Sequence, residues 1–232
     1  MSWIDTEAIC VGRRRLSGPD RLLTLLTPDH GRLAAVARGA ALPKGEFGSA
    51  LEPFGRARVI LVPARGQGYY RVESADRIDF LDNVRADLGR TLAAGLMCAW
   101  SRALSREREG DMYALLWHGL SRLDAGDAAA PVAARFLWRL AEIAGVGPEL
   151  SRCVACEGQG PPAALRVTPG GAVCANCRRS GDLVLDDEMW AALPGLCGRM
   201  DGNPSPPETD VARRLAAVAQ GYLRRHFGEG LP

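Results

Sequence analysis

Two cysteine pairs constrain this chain more than any other feature. Cys153-Val154-Ala155-Cys156 is followed, after 17 residues, by Cys174-Ala175-Asn176-Cys177. Two residues between cysteines let one tight turn aim both sulfurs at a single cation. Two such turns complete a tetrahedron with metal–sulfur distances of about 2.3 Å. Between the pairs, Thr168-Pro169-Gly170-Gly171 predicts a hairpin turn that brings the second pair up to the first. Disulfides are the alternative, and the N-terminus argues against them. Met1-Ser2-Trp3-Ile4-Asp5-Thr6-Glu7 has acids where a secretory signal has a basic segment and an apolar stretch. The thiols are therefore expected to be reduced, in the cytoplasm. The expectation is one structural Zn2+ per chain, held by Cys153, Cys156, Cys174 and Cys177, with no coordination position left for a substrate. Cys10, Cys98 and Cys197 stand alone among apolar or small neighbours and read as core residues.

The remaining 200 or so residues have an ordinary globular profile. Of 232 residues, 47% are hydrophobic and 24% charged, which excludes wholesale disorder. No apolar run approaches the roughly 18 residues a membrane-spanning helix needs. Aromatic residues are 6%, so Leu, Val, Ala and Ile supply most of the core. Net charge is +2, but it is unevenly placed. Between Cys10 and Arg71 lie eleven basic residues against the four acids Asp20, Asp29, Glu46 and Glu52. Such clustering points to a polyanionic partner. Lys44 is the single lysine; the other basic residues are all arginine, the better match to phosphate and stacked bases.

Residues 6 to about 76 read as five short strands and turns. Ala8–Val11 runs into Gly12-Arg13-Arg14-Arg15, and Leu22–Thr27 is followed by Pro28-Asp29-His30-Gly31 and Leu33–Ala37. Pro early in that turn and Gly at its end suit a type I turn with a Gly bulge, so the second and third strands should pair antiparallel. Residues 38–55 read as a loop, Arg56–Val62 as a fourth strand and Tyr69–Ala75 as a fifth, which suggests a small barrel or sandwich. The period then becomes helical. Leu92, Leu96, Trp100 and Ala103 fall on one stripe, and Asp111 opens a helix carrying Leu115, Leu116, Leu120 and Leu123. Pro131 suits a first helical position and Gly145 the residue past the end. A last helix spans about 208–227. The fold class is α+β: an N-terminal barrel, then a helical domain with an inserted four-cysteine finger.

No GxxxxGK[ST], HExxH or GxSxG motif is present, so no nucleophile–base pair stands out. His30, His118 and His226 are scattered, and His226 falls near a helix C-terminus, where a cation is favoured. Asp186-Asp187-Glu188 sits where a helix begins and reads as a cap rather than an acid–base pair.

These pieces, in this order, resemble the bacterial recombination-mediator family RecO. The resemblance runs through Thr6-Glu7-Ala8-Ile9, Arg13–Arg15, Asp20–Leu25, Thr27–Leu33, Ala37–Ala40, Leu51-Glu52-Pro53-Phe54 and Val72-Glu73. It continues through Ala144-Gly145-Val146, Pro148-Glu149-Leu150, the cysteine pairs and Gly170-Gly171. Departures are Gly18-Pro19 before Asp20, where members often have Glu, Ala34 in place of a basic residue, and Glu157 after Cys156, where Gly is common. The resemblance implies an OB-fold over residues 1–78, a helical domain over 79–150 and 181–232, and a zinc finger over 151–180. It also implies binding of single- and double-stranded DNA, annealing of complementary strands, and no enzymatic activity. The implied partners are RecR, sometimes RecF, and single-stranded DNA-binding protein, in loading RecA onto coated strands in the cytoplasm, at the nucleoid. Charge and resemblance agree on Arg13, Arg14, Arg15, Arg21, Arg32, Arg38, Lys44, Arg56 and Arg58 as candidate DNA contacts along the barrel. Tyr69 and Tyr70 are candidates for base stacking or for the barrel core. The rival readings are a protein-interaction scaffold with incidental DNA binding and a hydrolase built on the acidic cluster.

Overall fold

A computed structural model describes residues 2–42, 47, 50–64, 68–105, 110–198 and 205–232. It falls into two compact units, residues 1–127 and 128–232. The boundary expected at residue 78 lies inside the first unit, because the helices that follow the strands pack back onto them.

In the first unit, β1 (Ile4–Arg15), β2 (Arg21–Thr27), β3 (Gly31–Ala37), β4 (Arg56–Pro63) and β5 (Tyr70–Asp79) close a barrel in the order β1-β2-β3-β5-β4. All pairs are antiparallel except β3–β5, which run parallel. That is the OB arrangement expected for this segment. The β2–β3 hairpin forms as the turn chemistry predicts. Gly31 takes φ +60°, and the buried Thr27 hydroxyl donates to the Gly31 carbonyl at 3.0 Å while accepting from the His30 N–H at 3.1 Å. The small apolar residues Ala8, Ala35, Ala37 and Ala57 face Leu23, Leu25, Val59 and Leu61 inside. Residues 38–55, expected as a loop, also feed this core: Phe47, Ala50 and Leu51 are buried in it. Tyr70 packs partly against the same core.

Three helices complete the unit: α1 (Asp82–Ala86), α2 (Leu88–Leu104) and α3 (Gly110–Asp124). The buried face of α2 is Ala93, Ala94, Met97, Cys98, Trp100 and Ser101. The stripe read through Leu92, Leu96, Trp100 and Ala103 meets the interior at Trp100, but Leu92 is 65% exposed and Ala93, Ala94, Met97 and Cys98 face inward instead. Helix α3 is tied to the barrel by a polar cluster. The Arg56 guanidinium stacks 4.0 Å from the Trp117 ring, pairs with Asp79 at 2.7 Å and reaches Glu7 at 3.5 Å; the Tyr113 hydroxyl donates to Glu7 at 3.3 Å.

In the second unit, α4 (Ala129–Ile143) packs against α6 (Thr209–Phe227), with Trp138 and Tyr222 ring centroids 5.7 Å apart. Pro131 lies in the first turn of α4 but two residues after its start at Ala129, and Gly145 ends the helix at φ +77°. Helix α5 (Asp187–Leu196) is N-capped by the Asp186 carboxylate, which accepts from the Met189 N–H at 2.9 Å. Arg214 of α6 pairs with Asp186, Glu188 and Asp210, so the acidic cluster serves as cap and ion partner. His226 departs from the helix-end expectation: partial burial against the Tyr222 ring, 4.7 Å away, lowers its pKa and favours the neutral imidazole over the cation. No helix among the described residues is long and apolar enough to cross a membrane.

The hairpin β6 (Pro162–Arg166) and β7 (Gly171–Cys174) docks on α6 through its turn. The Tyr222 hydroxyl donates to the Val146 carbonyl at 2.8 Å, and a Cβ on Gly170 would meet that hydroxyl at 2.2 Å. Gly170→Ala is expected to destabilise the chain by about 1–3 kcal/mol through overpacking. Tyr222→Phe, which removes the hydrogen bond to the part-buried Val146 carbonyl, is expected to cost about 0.5–1.5 kcal/mol. Urea unfolding followed by Trp fluorescence measures both.

Candidate metal centre and nucleic-acid interface

The four expected sulfurs are brought together. The Sγ atoms of Cys153, Cys156, Cys174 and Cys177 all lie within 4.8 Å of one another, and Cys156 and Cys174 are 3.9 Å apart. A tetrahedral metal with bonds of about 2.3 Å needs sulfurs about 3.8 Å apart, so the donor set fits a thiolate-preferring ion. The first pair sits on a turn closed by the Glu157 N–H on the Cys153 carbonyl, 2.8 Å. The second pair spans the end of β7 and a single 3-10 turn, Ala175–Cys177. Backbone N–H groups of Cys174 and Ala155 point at the Cys153 sulfur and hold its thiol down to about 6. The protonated Cys177 thiol hydrogen-bonds to the Cys156 and Cys174 sulfurs, which favours the neutral form and pushes Cys177 up to about 12. Four such groups ionise together when a cation offsets their charge, which is the chemistry of a metal centre.

The shell around the sulfurs is built too. Arg166 is buried, forms a two-pronged pair with Asp182 at 3.0 and 2.8 Å, and donates to the Cys177 carbonyl at 2.7 Å. Sequence reading missed this pair, since two isolated charges 16 residues apart carry no motif. The apolar support is slight: Cys153, Ala164 and Val173 form a three-residue buried cluster. Glu157 takes a left-handed φ of +60°, the conformation that explains why Gly suits that position. By contrast, burial pushes Cys10 up to about 11 and Cys98 upward as well, as in inert core thiols, while Cys197, also pushed up to about 12 by burial, is only partly buried rather than a core residue.

The candidate DNA contacts divide by their partners. Arg13 pairs with Glu52 at 2.5 Å, and Arg58 with Asp5 at 2.9 Å; Arg56 is held in the Trp117 cluster. Arg32 donates to the Arg102 carbonyl at 2.6 Å, closing the last turn of α2. Lys44 lies outside the described residues. Arg14, Arg15, Arg21 and Arg38 have no acidic partner among the described residues. These four gather at one end of the barrel. Arg15 stands opposite Arg21, Arg21 opposite Ala37, and Arg38 follows directly. The Arg21 Nε is buried without a hydrogen-bond partner among the described residues.

Two family models match the chain. The N-terminal model of recombination protein O covers residues 1–81, and the C-terminal model covers residues 85–232. A similar protein is "DNA repair protein RecO" of Myxococcus xanthus (strain DK1622). It is 33% identical over 238 residues, spanning 100% of this chain and 95% of that protein.

Three outcomes follow from the geometry. Metal analysis should find one bound ion per chain, and chelation or Cys174→Ala should lower the melting temperature equally, with no further effect of chelator on the variant. Glu157→Gly should stabilise the metal-bound chain by up to about 1 kcal/mol, less whatever the added unfolded-state freedom removes. Arg56→Ala should lower stability by about 1–3 kcal/mol in urea unfolding while leaving the salt dependence of nucleic-acid binding unchanged.

Proposed function

The chain belongs to the recombination protein O family, and from that membership we propose that it is a DNA-repair mediator that binds DNA at one end of its barrel and anneals complementary strands. The observation that carries this is the group Arg14, Arg15, Arg21 and Arg38, without acidic partners among the described residues, at the rim of an OB barrel. Charges spent on Glu52, Asp79 and Asp5 contribute little field outside the protein; unspent ones attract phosphate and release counterions on binding. Binding of this kind follows the strand backbone and is indifferent to sequence. In the OB-fold, residues 1–78, this rim would carry single strands, and residues 79–232 would meet protein partners.

The bound metal is Zn2+ in this reading, supported by four cysteine sulfurs within 4.8 Å of one another, a donor set that suits a closed tetrahedral site. It stabilises the 151–180 finger and takes no part in chemistry. The mediator works without catalysis of its own: with RecR, and with RecF in some settings, it opens strands coated by single-stranded DNA-binding protein to RecA in the cytoplasm. A scaffold reading also has an observation in its favour. Leu88 and Leu92 are 74% and 65% exposed one turn apart on α2, a face that suits a protein partner.

Annealing of coated complementary strands without ATP, across a salt series, separates the two. Arg15→Glu/Arg21→Glu should reduce the slope of log affinity against log salt by about 1.4, at roughly 0.7 per lost phosphate contact, and slow annealing in parallel. An unchanged slope removes the rim as the binding site. Strong partner binding with no DNA affinity in the wild type establishes the scaffold instead.

A further inference from the structure

We propose that the second cysteine turn carries a separate phosphate-binding surface, formed by Arg178, Arg179 and Arg225, that holds a second nucleic-acid strand. The proposal rests on the strand-annealing reading above and adds a site to it.

Cys177 is followed by Arg178-Arg179-Ser180-Gly181-Asp182, and the first four of these are fully on the surface. The backbone here is fixed at several points. The Arg178 N–H donates to the Cys174 carbonyl at 3.1 Å, and the Asp182 N–H to the Arg179 carbonyl at 3.2 Å. The Arg179 N–H donates to the Asp182 carboxylate at 2.8 Å. Asp182 is the acid of this turn, and its charge is turned inward. Its side chain is 7% exposed and is gripped by buried Arg166, whose guanidinium holds the carboxyl below the ordinary carboxylate range. Helix α6 adds Arg225, whose guanidinium donates to the Gly181 carbonyl at 2.7 Å. Three exposed arginines, two within it and one bonded to it, therefore belong to a hydrogen-bonded turn whose own carboxylate is already consumed.

The cationic turn has two other conceivable employments. One is to offset the negative charge of four thiolates on a divalent ion, but buried Arg166 already lies within electrostatic reach of Cys153 and Cys177. The other is to seat an acidic peptide, for which exposed Val184 offers an apolar contact. The turn itself, residues 178–182, presents no apolar side chain, and the planar forks of arginine match phosphate oxygens in pairs. A polyphosphate backbone is the better fit. Annealing requires two strands on one assembly, and the barrel rim and the sulfur-held turn belong to different compact units. The metal centre acquires a purpose beyond stability, since it fixes the backbone that aims Arg178 and Arg179.

The test uses the full, metal-loaded chain titrated with a short single-stranded oligonucleotide. Wild type should take two equivalents per chain, and Arg178→Gln/Arg179→Gln one, with metal content and melting unchanged and annealing slowed at least about tenfold. Arg225→Gln, which leaves the sulfur turn untouched, should weaken the second equivalent without removing the first. Two equivalents persisting in the double variant overturn the proposal, as does a single wild-type equivalent that the variant does not affect. Metal loss in the variant assigns these arginines to charge balance instead. Poly-glutamate competing as well as the oligonucleotide assigns the surface to an acidic peptide. Binding lost in Arg15→Glu/Arg21→Glu but intact in the Arg178/Arg179 variant refutes this site and leaves the barrel reading standing. The reverse pattern refutes the rim and keeps this site, and no binding in the wild type refutes both.

Discussion

The parallel seam between β3 and β5 closes the barrel over two residue pairs, Ala35 with Tyr70 and Val36 with Arg71. Everything else in the first unit depends on that closure. An open five-stranded sheet would leave two edges of unpaired backbone groups and no interior for Leu23, Leu25 and Val59. A seam so short relies on what fills the tube. Alanines on β1, β3 and β4 let the strands curve tightly around a few leucines and valines, and Phe47, Ala50 and Leu51 add bulk from the β3–β4 connection. Closure also sets the register that stacks Arg15, Arg21 and Ala37 in one row at the rim. The distribution of charge on the outside is thus a consequence of packing on the inside.

The second unit solves a different problem. Its finger segment has a three-residue apolar cluster, far too little to hold twenty-odd residues against chain entropy. A metal held by the four clustered sulfurs would supply the missing cohesion, and the Arg166–Asp182 pair and the Gly170–Tyr222 contact join the finger to its surroundings. Each of the two units therefore uses a closed device, one a ring of hydrogen-bonded strands and the other a ring of ligands.

Spacing made the metal centre legible in the sequence, because two residues between cysteines constrain geometry locally. The hairpin at Pro28–Gly31 was legible for the same reason, as were the five strands, whose alternation reports which side faces in. The α2 stripe shows where pattern fails: Leu92 scores as core by hydropathy, but Ala93, Ala94, Met97 and Cys98 take the interior beside Trp100. The arginines were legible as a group and opaque as individuals. Arg13 meets Glu52 39 residues away, and Arg58 meets Asp5 53 residues away, pairings that exist only after the barrel has closed. The same holds for His226, whose charge state follows from partial burial against Tyr222 rather than from its place on a helix.

The Arg13–Glu52 pair, half-exposed beside the unpaired rim, gives the barrel a resident anion. A phosphate that approaches Arg13 meets a site already occupied by a carboxylate, so what it gains there is the difference between two anions. Contact at Arg13 is an exchange, nearly neutral in net ion release, whereas contact at Arg15 or Arg21 displaces only solvent and salt. On the proposed interface, neighbouring side chains of one residue type would thereby act as two kinds of contact: some would draw a strand in, and one would let it go at little cost. Under the annealing proposed above, that mixture would favour turnover over tight retention.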